Sequence, residues 1–294
     1  MTSLGRASLG VLLARLVLAS PAAAPQSPAA TPAPPAYGGA PIASSAAAPA
    51  GEMVAFQAGG EKVRGYLVRP TLHGHRPAVV VVHEWWGLNT QIKGVADRLA
   101  ELGFLTVVPD LYGGKVADEP GLAHELMRGL NEDRAVTIIK GAIDYLKHYD
   151  RAKDRNVGTL GFCMGGGYSL QAALRGADVK ATVMFYGSVQ TTRESVLPLR
   201  APLLGIFGAQ DRGIPVGEVR KFEAALREAH KKSLIAVYPG VGHAFMNETG
   251  PGYDKETADK AWTRATKFLI EALRPEPKAP GPVKRAPSGG PSGS

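Results

Sequence analysis

A short apolar run, Val157 to Leu160, leads into Gly161-Phe162-Cys163-Met164-Gly165-Gly166-Gly167, and an apolar helix-like stretch, Tyr168 to Leu174, leaves it. A turn that switches so abruptly from strand to helix forces its middle residue into a strained backbone conformation. Only near-hydrogen side chains two positions to either side let the two segments pass, and Gly161 and Gly165 stand there. The apex side chain is pushed out over the sheet edge. Here it is Cys163, the single cysteine of the chain. The pattern is that of a nucleophile elbow with sulfur in place of serine. The competing reading is a Gly-rich turn of the sort that follows strands in many α/β proteins, with the cysteine as buried filler.

Composition sets the frame for that motif. Of 294 residues 45% are hydrophobic, enough for a full core, but the two ends differ from the middle. Residues 1–50 are dominated by Ala, Pro, Ser and Gly, and 275–294 by Pro, Gly, Ser, Lys and Arg. Such segments lack the β-branched and aromatic side chains that offset ordering entropy, so both are expected to be disordered. One α/β domain over 51–274 remains. Arg6, the apolar run Leu9 to Leu18 broken by Arg15, and Ser20-Pro21-Ala22-Ala23-Ala24 resemble a secretory signal over 1–24. A Pro/Ala-rich linker, 25–50, follows. The expectation is an exported protein, periplasmic or secreted, with no stable membrane span because the apolar stretch is too short. A core of this size needs no disulfide.

The formal charge of +8 suggests an acidic partner until the charges are located. Arg6 and Arg15 stand in the first fifty residues, and a net three positive charges lie in 274–294, leaving +3 on the domain. No basic stripe with interleaved aromatics is present, which argues against nucleic acid. His73 and His75 lack nearby cysteines or a carboxylate set, which argues against a metal site. A small-molecule substrate, a monomer and no cofactor are expected.

From Glu61 onward, short apolar runs alternate with amphipathic stretches, the signature of β-α units on a mainly parallel, doubly wound sheet. Strands are predicted at Lys62 to Val68, Ala78 to Val82, Phe104 to Val108, Val157 to Leu160, Ala181 to Tyr186, Leu203 to Phe207 and Leu234 to Tyr238. Helical spacing is read over Gln91 to Leu102, Leu122 to Leu130, Ala135 to Tyr149, Val219 to Ala229 and Ala258 to Leu273. Ligands of such sheets bind beyond the carboxyl ends of the strands, so reactive side chains just after strands matter most.

Three residues meet that condition. Cys163 follows one strand, Asp211 follows Leu203 to Phe207 through Gly208-Ala209-Gln210, and His243 follows Leu234 to Tyr238 through Pro239-Gly240-Val241-Gly242. Nucleophile, acid, histidine is the chain order of α/β-hydrolases. A thiol of pKa about 8.5 is only a few per cent thiolate at neutral pH, so a histidine base within reach is needed, and an acid to hold that histidine. Asp178, Glu194, Glu218, Glu223 and Glu228 compete for the acid's place but none closely follows a strand. Asp110 does, ahead of the nucleophile, and is read as a loop or capping residue. After Ala78 to Val82 comes His83-Glu84-Trp85-Trp86-Gly87. The loop in this position supplies one backbone N–H of an oxyanion hole and the residue after the nucleophile the other, giving Trp85 and Met164. Glu84 is awkward there, because a carboxylate opposes developing negative charge unless it controls the thiol or contacts substrate.

Gly161-Phe162-Cys163-Met164-Gly165-Gly166, the Glu84 loop, Pro109-Asp110-Leu111-Tyr112, Asp211 and Gly242-His243-Ala244-Phe245 together resemble the dienelactone hydrolase family across roughly Glu52 to Leu273. The resemblance implies an α/β-hydrolase fold, a Cys163-His243-Asp211 triad and no cofactor. It also implies that Glu84 hydrogen-bonds the resting thiol and keeps it neutral until substrate binds. The family's reference reaction opens an anionic dienelactone to maleylacetate, with arginines on the carboxylate. One of those arginines lies four residues beyond the histidine, where this chain has Asn247 with Glu248 beside it. Neutral esters or lactones are therefore expected over anionic ones, unless Lys115, Arg193 or Arg212 substitutes. The rival readings are a broad carboxylesterase or thioesterase on the same fold and an exported binding protein on a hydrolase scaffold. A redox sensor is weaker, since the chain has no resolving cysteine.

Overall fold

Among the described residues eight strands form one sheet in the order β1-β2-β4-β3-β5-β6-β7-β8. They are β1 (Glu52–Ala58), β2 (Glu61–Val68), β3 (Ala78–Val82), β4 (Leu105–Pro109), β5 (Val157–Phe162), β6 (Ala181–Phe185), β7 (Leu203–Gly208) and β8 (Ser233–Tyr238). The computed structural model describes residues 51–71, 76–149 and 155–274. The predicted signal segment 1–24, linker 25–50 and tail 275–294, with His73 and His75, lie outside the described residues. β1 and β2 form an antiparallel hairpin, β2 meets β4 antiparallel, and β4, β3 and β5 through β8 run parallel. The sheet is thus mainly parallel, as its alternating pattern predicts. Its first strand was not predicted: Glu52–Ala58 buries only Phe56 and Ala58, and so shows none of the continuous apolar character of the inner strands.

Among the described residues seven helices cover the sheet: α1 (Thr90–Glu101), α2 (Pro120–Gly129), α3 (Glu132–His148), α4 (Met164–Leu174), α5 (Arg193–Val196), α6 (Val216–Glu228) and α7 (Lys255–Leu273). The all-buried β3 shows why both faces need cover. Val80 and Val82 face a core shared with α3, α4 and α6, while Val79 and Val81 face the one built with α1 and α7. Asn89, Asn131 and Asp254 cap α1, α3 and α7 through bonds of 3.1, 2.9 and 2.8 Å to backbone N–H groups. Such capping explains why helices predicted from apolar spacing alone, α3 and α7, begin three residues earlier than that spacing indicates. α4 has no such cap: its cap position is Cys163, whose side chain makes no capping bond.

Register brings the strand ends into one row. Val82 lies opposite Gly161, and Phe162 opposite Phe185, so Cys163 and Tyr186 emerge side by side, with Cys163 N–H donating to the Phe185 carbonyl at 3.0 Å. The crossing of α4 over β3 is close. A Cβ on Gly165 would lie 2.3 Å from the Val82 carbonyl oxygen and 2.5 Å from that of His83, and one on Gly161 would lie 2.1 Å from the Gly165 carbonyl oxygen. Gly94, inside α1, has nothing within 4 Å of an added Cβ. Gly165→Ala is therefore expected to destabilise the fold by about 2 kcal/mol or more, and Gly94→Ala to stabilise it by up to about 1 kcal/mol. Urea denaturation of the two variants measures both, and equal effects would contradict the crossing.

Candidate active site

Each candidate side chain is set by the strand that precedes it. Cys163 sits at φ 52°, ψ −120°, a backbone conformation imposed by the tight exit from β5 into α4. Its side chain does not cap the helix, and Sγ stands at the α4 N-terminus. Beyond β7 and β8, two loops are tied to each other. Ala209 N–H donates to the Tyr238 carbonyl at 2.8 Å and Gln210 N–H to the Val241 carbonyl at 2.9 Å. Gly208 permits this, since a Cβ there would lie 2.5 Å from the carbonyl oxygens of both Val241 and Gly242.

That tie brings Asp211 to His243, and His243 to Cys163. His243 Nδ1 lies 2.7 Å from Asp211 Oδ2, and Nε2 lies 3.1 Å from Cys163 Sγ. Asp211 Oδ1 accepts from the N–H groups of Gly213 and Ile214 at 2.8 and 2.9 Å. Burial alone raises a carboxyl pKa, but here His243 and the two amides outweigh it and hold Asp211 below the usual range. Burial also works against a charged imidazole. Asp211 and Cys163 reverse that and push His243 up to about 10.

Trp85 packs edge-on against Trp86 and against His124 of α2, at ring-centre distances of 5.0 and 4.8 Å. Met164 accepts a hydrogen bond from Tyr112 Oη at its sulfur, 3.3 Å away. As the first residue of α4, Met164 also carries one of the N–H groups that a helix leaves unpaired.

Glu84 is 4% exposed and occupies a different place from the one its family resemblance implies. Its Oε1 accepts from Tyr186 Oη at 3.1 Å and its Oε2 from Asn247 Nδ2 at 2.7 Å, while the thiol is paired with His243. The expected contact between Glu84 and a resting thiol is thus replaced, because both carboxylate oxygens are taken by buried donors. Burial raises the Glu84 carboxyl above the usual range, outweighing the lowering by Asn247, Tyr186 and the charge of His243. Asn247 is itself buried with its amide on Glu84. Arg193 and Arg212 are exposed, the former paired to Glu194 at 3.8 Å.

Two participants escaped the sequence reading. Tyr186, at φ 38°, is buried with its ring 5.0 Å from that of His243. His83, fully buried, accepts from Leu111 N–H at Nε2 (3.3 Å), which leaves the proton on Nδ1 to donate to the Glu84 carbonyl at 2.6 Å. Burial lowers its pKa despite that carbonyl and Asp110. It therefore serves as a neutral tether between the loops after β3 and β4. Asp110, expected as a loop residue, accepts from Tyr112 N–H at 3.1 Å and fixes the same turn.

A mainly parallel sheet with a sharp strand-to-helix turn at Cys163 after β5, an acid after β7 and a histidine after β8 has the layout of the α/β-hydrolase fold. Residues 63–273 match the model of the dienelactone hydrolase family, and the chain belongs to that family. It is 37% identical to "Protein usf" of Aquifex pyrophilus over 231 residues, covering 76% of this chain and 99% of that protein. It is 34% identical over 232 residues to a protein of Aquifex aeolicus named "Putative carboxymethylenebutenolidase", covering 76% and 100%. Among solved structures, a dienelactone hydrolase-like promiscuous phosphotriesterase from metagenomic libraries superposes with TM-score 0.70 at 24% identity, covering 77% of this chain and all of that one. The chain is accordingly a hydrolase acting on esters or lactones, with a small molecule as its substrate.

The His243 shift has a consequence for stability. A histidine whose folded pKa is raised contributes in full below its unfolded value of about 6.5, and the contribution is lost as pH rises through the folded value. Asp211 works in the opposite sense, through acid pH only. Between about pH 6.5 and about 10 the stability advantage of the wild-type chain over His243→Gln is thus expected to shrink steadily, as measured by urea denaturation. An advantage independent of pH would contradict the shift.

Proposed function

We propose that the chain hydrolyses a neutral ester or lactone through Cys163, His243 and Asp211 and a thioester intermediate. The observation that carries this reading is the unbroken relay from Asp211 Oδ2 through both imidazole nitrogens to Cys163 Sγ, at 2.7 and 3.1 Å. His243 Nε2 takes the thiol proton, and the sulfur lone pair forms a bond to the carbonyl carbon while the π pair moves onto oxygen. The N–H groups of Trp85 and Met164 receive that oxyanion. When the tetrahedral adduct collapses, the bond to the alkoxide breaks and His243 Nε2 returns its proton to the leaving oxygen. A water then attacks the thioester carbonyl, giving its proton to Nε2. The C–S bond breaks, and the acid leaves behind thiolate and imidazolium. Asp211 keeps the imidazole in the required tautomer and stabilises its cation.

Two features support a neutral substrate. Asn247 stands where an arginine would meet a substrate carboxylate, and its amide is committed to Glu84. A substrate anion would then sit near a buried carboxylate without a cationic partner, which is costly.

Cys163→Ala is expected to abolish turnover of a small aryl ester, and Asp211→Asn to lower kcat by about three orders of magnitude with the fold intact. Full activity in either variant would overturn the scheme. In competition, a neutral lactone should be opened faster than its carboxylated analogue, and the reverse order would refute the substrate class.

A further inference from the structure

Gly94 is a glycine that the packing of α1 does not require. Inside a helix glycine costs stability relative to alanine, and no neighbouring atom lies within 4 Å of a Cβ built at this position. The open space belongs to a cavity of about 210 Å³ between α1 and α7, on the face of the sheet opposite α3 and α4. Its walls are formed without Cys163, His243 or Asp211. The floor is apolar: Val95, Phe162 and Met246 are buried core residues, and Trp262 of α7 closes one side. A cavity of about 150 Å³ with an apolar lining takes up benzene, so this one has room for a branched aliphatic group with a polar head.

The rim is polar, and its charges are of opposite sign. Arg98 and Glu248 stand there exposed, together with Gln91. Among the described residues neither charge is in an ion pair, and the Gln91 side chain has no hydrogen-bond partner. The charges lie at opposite ends of the cavity. Gln91 and Arg98 are seven residues apart on α1, about 10 Å along its axis. Glu248 belongs to the loop between β8 and α7, which is tied at the start of that helix by Asp254 N–H donating to the Phe245 carbonyl at 3.1 Å. Trp262 stands eight residues beyond that tie, about 12 Å along α7, and the Arg98 guanidinium lies over its ring at 4.2 Å from the ring centre. A guanidinium already held on an indole loses little side-chain freedom when a carboxylate arrives.

A ligand that meets all three rim groups carries a carboxylate for Arg98, an ammonium for Glu248 and an amide for Gln91, on an apolar body. Two residues of extended chain span about 7 Å, and a hydrogen bond of about 3 Å at each end extends the reach to about 13 Å. We infer that the cavity between α1 and α7 is a second ligand site, separate from the Cys163 centre, and that it binds a short zwitterionic peptide, an apolar dipeptide. Gly94 keeps that site open.

Isothermal titration of the full-length chain with L-alanyl-L-leucine is the test. Saturable binding to a single site is expected, with a dissociation constant of about 1 mM or below. N-acetyl-alanyl-leucine lacks the ammonium, alanyl-leucine amide lacks the carboxylate, and free leucine lacks the span. Each is expected to bind at least about ten-fold more weakly. Gly94→Leu fills the cavity from α1 and is expected to weaken the dipeptide at least about ten-fold, while aryl-ester turnover stays within about two-fold of wild type. Glu248→Gln, at an exposed position, is expected to weaken the dipeptide by a similar factor and to leave the N-acetyl form unaffected. Circular dichroism checks folding, and if Gly94→Leu fails to fold, Glu248→Gln decides. The inference is overturned by the absence of saturable binding, by any of the three analogues binding as tightly as the dipeptide, or by undiminished binding in a folded variant. Turnover lost in parallel with binding in Gly94→Leu also overturns it, since the cavity would then be part of the catalytic site.

Discussion

The close passage of α4 over the end of β3 is the constraint on which the site depends. Gly165 lies against the Val82 and His83 carbonyls, and that approach sets the height of Cys163 above the sheet, the direction of the α4 N–H groups and the path of the loop carrying Glu84 and Trp85. A side chain at Gly165 would separate the helix from the strand and change all three together. The register between β5 and β6 adds the fourth element, because it sets Tyr186 beside the thiol.

Around that crossing the site is assembled by backbone ties. The loops after β7 and β8 are joined by main-chain bonds before any side chain is considered, and His83 joins the loops after β3 and β4. These ties leave Cys163, His243 and Asp211 little conformational freedom, which is what a chain of two short hydrogen bonds requires. They also confine the charges: Asp211 and Glu84 are both buried, each with every oxygen paired.

Much of this was legible in the sequence, for identifiable reasons. Continuous apolar runs marked the inner strands because they are buried on both faces. The Gly-x-Cys-x-Gly spacing marked the elbow because no other residue fits where Gly161 and Gly165 lie, and strand order marked Asp211 and His243. β1 was missed because one of its faces is open to solvent. The rule that reactive side chains follow strands also applied to His83 and Tyr186. It passed them over because burial and register, which no local pattern displays, turn an ordinary histidine into a neutral tether and a tyrosine into a donor. Asn247 was legible only as the absence of an arginine; its bond to Glu84, which supplanted the expected contact between that carboxylate and the thiol, depends on a pairing across 163 residues of sequence.

The central claim is that sulfur, and not water acting directly, first takes the acyl group. Rapid acid quench during turnover of an aryl ester, followed by peptide mass mapping, tests it most directly. The account predicts a transient mass increase equal to the acyl group on the peptide containing Cys163, discharged by hydroxylamine. Undiminished turnover with no adduct, or an adduct on another residue, would contradict it.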